Sequence, residues 1–63
     1  MRLLSFTETA ERLAVPVSTL RHWVHVGYGP PSIRIGKRRV FGESDVDQWI
    51  STQFTEQQNQ EKE

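Results

Sequence analysis

Six basic residues, Arg12, Arg21, Arg34, Lys37, Arg38 and Arg39, lie between Arg12 and Gly42 with no aspartate or glutamate among them. Side chains gathered this way are suited to holding an extended anion, through charge at long range and, for arginine, through paired N–H donors at short range. Every acid lies elsewhere: Glu8 and Glu11 before the stretch, and Glu43, Asp45, Asp47, Glu56, Glu61 and Glu63 after it. The formal net charge of zero is therefore an average over segregated charge, and the middle of the chain can present a cationic surface while the ends do not.

Other chemistries are poorly supplied. With 63 residues the chain makes one domain at most, too small for an enzyme cleft, and its stability should be on the order of a few kcal/mol. There is no cysteine for a disulfide or thiolate site, and His22 and His25 are too few for a structural zinc, so neither catalysis, a metal nor a cofactor is expected. The start, Met1 to Phe6, lacks the apolar run of a signal peptide, and nothing approaches the roughly 20 apolar residues of a membrane span. A cytosolic location with no membrane partner is the default expectation.

The elements that must position the cations follow from spacing. Thr7 reads as the N-cap of a short first helix with Glu8 at its positive end, Phe6 as a staple over the first turn, and Ala10 and Leu13 as its buried side. Pro16 ends that helix near Ala14. A second helix runs Val17 to His25, with Leu20, Trp23 and Val24 in an i, i+3, i+4 stripe joined by Val17. Gly27, Gly29, Pro30 and Pro31 break it. Ser32 to Phe41 reads as a two-stranded hairpin turning at Gly36-Lys37, its tip almost wholly cationic, with Ile35 and either Val40 or Phe41 returning to the core. Glu43 or Ser44 then caps a last short helix, Asp45 to Ile50, whose Val46, Trp49 and Ile50 repeat the stripe. Residues 51–63 read as a polar, disordered tail on a domain of residues 1–50.

Two short helices across a tight turn, a glycine-proline connector, a basic hairpin and a third helix define a mainly α fold with a small β-hairpin, the winged helix-turn-helix. Its expected core is Phe6, Ala10, Leu13, Val15, Leu20, Trp23, Val24, Ile35, Val46, Trp49 and Ile50. The exposed face of the second helix can enter a DNA major groove. Trp23 and Trp49 are read as core aromatics, not as platforms for stacking bases, because a chain this small needs their area inside.

The segments Phe6 to Val15 and Ser18 to Trp23, followed by Ile35 to Phe41 and Asp45 to Ile50, resemble the small excisionase and MerR-like winged-helix domains over roughly Leu4 to Ile50. Pro16 departs from the pattern, standing where the resemblance more often places a serine cap, which costs about 1 kcal/mol at the start of the second helix. The resemblance implies a recognition helix using Val17, Ser18, Thr19, Arg21, His22 and His25 and a wing using Arg34, Lys37, Arg38 and Arg39. Arg21 is the expected base reader, since a guanidinium pairs bidentately with guanine. The wing is expected beside or in the minor groove. The implied partners are double-stranded DNA, an integrase and further copies of the chain on adjacent sites, with no small-molecule effector. The implied role is a phage excisionase that binds and bends attachment-site DNA. A promoter-binding regulator and a protein-interaction module are the alternatives.

Overall fold

The computed structural model describes residues 2–61, excepting the side chains of 59–61. In chain order the elements are β1 (Leu3–Leu4), α1 (Phe6–Leu13), α2 (Val17–Val26), β2 (Ser32–Ile35), β3 (Arg38–Gly42) and α3 (Glu43–Glu61).

Helix α1 is set by a reciprocal cap. The Glu8 N–H donates to Ser5 Oγ at 3.2 Å, and the Ser5 N–H donates to Glu8 Oε1 at 2.9 Å. Ser5 is thus the N-cap, not Thr7, which lies inside the first turn with Phe6. The sequence Ser5-Phe6-Thr7-Glu8 satisfies two free amide donors at once, and a cap at Thr7 lacks such a partner three residues on. The helix stops at Ala14, held at a left-handed φ of 59° with its N–H turned back to the last turn of α1. Pro16 then precedes α2 and makes no side-chain cap bond, as the departure from the serine pattern implies. Gly27, at φ 80°, closes α2, and the Tyr28 N–H returns 2.8 Å to the Trp23 carbonyl.

The hairpin turns at Gly36-Lys37 as expected, with Gly36 at φ 60° in the first turn position. It is not alone. Leu3 and Leu4 add a third, antiparallel strand on the other edge of β3, giving the order β1-β3-β2. Two residues are too few to show alternation, so the sequence does not announce this strand.

The register decides which side chains reach the core. Leu4 and Ser32 each lie opposite Phe41, and Arg34 lies opposite Arg39, so these residues share the face turned toward the helices. Ile33 and Ile35, paired with Val40 and Arg38, share the other face with Leu3. Ile35 is consequently 52% exposed and is not a core residue. Phe41, rather than Val40, is the strand residue that enters the core, and it is fully buried with Leu4, Ala10, Leu20 and Val46. Phe6, Leu13, Val15, Val17, Trp23, Val24 and Ile50 pack around that cluster. Trp49 is half-buried in an aromatic group at its margin, 6.1 Å from Trp23 and 5.6 Å from Tyr28 between ring centroids.

Thr9 is also fully buried, and its Oγ1 has no hydrogen-bond partner. A buried hydroxyl left without a partner carries a desolvation cost that an isosteric methyl does not. Thr9→Val should therefore raise the unfolding free energy by about 1 kcal/mol, read as a higher urea midpoint. A lower midpoint would show that the hydroxyl is satisfied in solution.

Helix α3 extends well beyond the expected Asp45 to Ile50, beginning at Glu43 and continuing through Glu61. Ser51 to Glu61 contains no proline or glycine and is rich in glutamine and glutamate, which favour helix, so nothing local stops it. Residues 62 and 63 of the expected tail lie outside the described residues. One cation of the basic stretch is consumed in holding α3. Arg12 donates to Glu43 and, at 3.0 Å, to Asp47. Desolvation lowers the Arg12 pKa, but hydrogen bonding and charge from Glu43 and Asp47 outweigh it and raise the pKa above its ordinary value. Arg12 is thereby removed from the cationic surface on which the sequence places it.

Candidate nucleic-acid interface

Helix α2 leaves Ser18, Arg21, His22 and His25 exposed, spaced i, i+3, i+4 and i+7 along one side. The opposite side is anchored by Leu20, which is fully buried. Thr19 is half-buried, and Val17, counted by sequence both on the apolar stripe and with the recognition helix, packs against the core. The helix therefore presents a polar ridge of four residues.

The inner face of the sheet carries on past the core. Two residues from Phe41 along β3 stands Arg39, opposite Arg34 and on the same face as Phe41. Arg39 is half-buried and donates to Ser32 Oγ at 2.9 Å, which fixes its direction across the hairpin. Arg34, Lys37 and Arg38 are exposed.

These two surfaces meet. Arg21 from α2 and Arg34, Lys37, Arg38 and Arg39 from the hairpin line one open groove of about 460 Å³, floored by Ser5, Phe6 and Thr7 at the start of α1. No carboxylate lines it. Among the described residues the ion pairs are Arg2 with Glu8 and Arg12 with Glu43 and Asp47, so none of the five groove cations is paired. Like charges directly opposite each other in a sheet destabilise it, and Arg34 and Arg39 are such a pair. An anion bound between them would relieve that repulsion.

Ser18, His22 and His25 do not line the groove; they continue the ridge of α2 beside it. The contribution of α1 is what sequence reasoning missed. Phe6 was expected only as a core residue, yet the Arg21 guanidinium carbon lies 5.1 Å from its ring centroid. Fifteen residues separate the two, and no local pattern signals the contact.

Among the described residues no helix is long and apolar enough to cross a membrane, and no group of three or more histidine, cysteine or acidic side chains is placed to hold a metal ion. A polar ridge on α2, a cationic hairpin and the groove they share define a winged helix-turn-helix module. The family model described as "Helix-turn-helix domain" matches residues 3–53, and the chain belongs to that excisionase- and MerR-related family. Neither a curated protein nor a solved structure matches it.

Proposed function

We propose that this helix-turn-helix DNA-binding domain recognises a specific duplex sequence by placing the α2 ridge in the major groove while the hairpin tip follows the adjacent minor groove. The observation that carries the reading is the groove in which Arg21 and four hairpin cations converge with no acid among them. A major groove admits a helix, and a narrowed minor groove attracts arginine and lysine. The half-buried Arg39, tied to Ser32, serves as the rigid base of the wing, and the exposed Arg34, Lys37 and Arg38 supply phosphate or minor-groove contacts.

Within that activity the chain acts as an excisionase, a recombination directionality factor that binds and bends attachment-site DNA to turn an integrase toward excision. One module of this size covers only a modest length of duplex, so selectivity must come from several copies on adjacent sites or from a DNA-bound partner, the arrangement that the excisionase resemblance supplies. The setting is the cytoplasm of a bacterial host, on its nucleoid. A second reading, a small MerR-like promoter regulator, is favoured by one observation: α3 continues as an uninterrupted helix to Glu61 with Phe54 65% exposed, as a helix offered to another chain would. A footprint on the native locus separates the two, since protection falls over an attachment site in one case and over a promoter in the other.

DNA binding itself is tested by salt. Duplex affinity should fall linearly with salt on logarithmic axes, and Arg38→Ala should lower affinity for all sequences alike while reducing the slope by about 0.9, as expected for one lost phosphate contact. An unchanged slope would remove Arg38 from the interface. If no duplex were retained at low salt, a protein-interaction role would displace DNA binding.

A further inference from the structure

We infer that Phe6 is a positioning residue for DNA readout: the face of its ring holds the Arg21 guanidinium at the angle from which it enters the groove. The inference rests on the reading of Arg21 as the base-contacting residue and assigns a part in that act to a side chain otherwise counted as packing.

The geometry is asymmetric in a useful way. Phe6 meets Phe41 edge to face, with ring centroids 5.5 Å apart and planes at 83°, so the ring is fixed by a fully buried neighbour. Its remaining surface faces the groove that it helps to line, and there the Arg21 guanidinium carbon lies 5.1 Å from the ring centroid. A cation at that distance is drawn to the negative face of the ring. Among the described residues Arg21 has no side-chain hydrogen bond and no ion pair. Among the described residues the ring therefore supplies the contact to its charged group that hydrogen bonds and ion pairs do not.

This arrangement suits a reader of bases better than a salt bridge does. An acid partner would occupy the guanidinium N–H donors that must reach the base edge, and would have to be stripped away on binding. A ring face attracts the guanidinium through its flat side and leaves the N–H donors at its rim available. Holding the side chain in place before binding reduces the rotamer freedom lost when DNA arrives. The capping box at Ser5 and Glu8 fixes the backbone on which Phe6 stands, so the ring's place is set from both of its ends.

The test uses two readouts. In the free protein, NMR should show the Arg21 side-chain protons shifted upfield by the Phe6 ring current; Phe6→Leu should abolish the shift and Phe6→Tyr should retain it. For DNA, a duplex selected by the wild-type protein from a randomised library is compared with random duplex at one salt concentration, for Phe6→Leu and Phe6→Tyr in both the Arg21 and Arg21→Ala backgrounds. The expected result is a loss of discrimination of about two- to fivefold for Phe6→Leu when Arg21 is present, no further loss when it is absent, and wild-type behaviour for Phe6→Tyr. Circular dichroism confirms that each variant is folded. An equal loss in both backgrounds would overturn the inference, because a ring that only packs would act without Arg21. So would the absence of a ring-current shift in the free protein, which leaves the reading of Arg21 untouched. If instead the shift is present but Arg21→Ala leaves discrimination intact, the base-reading role itself fails, and the positioning role falls with it.

Discussion

Phe41→Ala should leave the domain with little or no net stability in buffer at room temperature. Phe41 is fully buried, lies opposite both Leu4 and Ser32 in the sheet, and meets Phe6 edge to face. It therefore joins β1, β3 and α1 at one point. Truncating a buried phenylalanine costs about 3–5 kcal/mol through lost burial and the cavity left behind, and a domain of this length has only a few kcal/mol in total, on the order of 5. Far-UV circular dichroism and urea unfolding are the measurements, with Phe54→Ala as the comparison. Phe54 is 65% exposed, and its removal should move stability by no more than about 0.5 kcal/mol. Similar midpoints for the two variants would contradict the placement of the core.

Arg21→Ala should reduce discrimination between the selected duplex and random DNA by about 1–3 kcal/mol, or roughly 5- to 150-fold, if the side chain pairs bidentately with a base. General adhesion should fall much less, because Arg34, Lys37, Arg38 and Arg39 remain in the groove. Arg21 is exposed and makes no hydrogen bond that holds the fold, so the unfolding free energy should change little. Binding to selected and random duplex is measured over a salt series. A parallel loss on both would reassign Arg21 to the phosphate backbone.

The α elements were largely legible because their signals are local. Pro16 and Gly27 bracket α2, and the stripe of Leu20, Trp23 and Val24 gives its inner side. The hairpin was legible for the same reason, down to its turn at Gly36-Lys37. What failed was parity. Alternation shows that Ile33 and Ile35 share a face but does not say which face meets the helices, and a displacement of one residue exchanges the two sets. Apolar character argued for the isoleucines, but pairing of Ser32 with Phe41 puts Arg34 and Arg39 on the inner side. There they lie beyond the edge of the core, in the groove, so the exception to burial coincides with the candidate site. The Arg12 clamp and the Phe6–Arg21 contact were hidden for another reason: each joins elements distant in sequence, and only the assembled fold brings them together.

The strand at Leu3–Leu4 ties the amino-terminal end to the wing through β3, and the Arg2 carbonyl accepts the Glu43 N–H at 2.9 Å where β3 gives way to α3. Anything joined ahead of Leu3, such as an affinity tag or a fluorophore, is thereby grafted onto the root of the hairpin and can disturb its seating on nucleic acid. Reporters and immobilisation handles belong at the opposite terminus, after α3, where they leave that root alone.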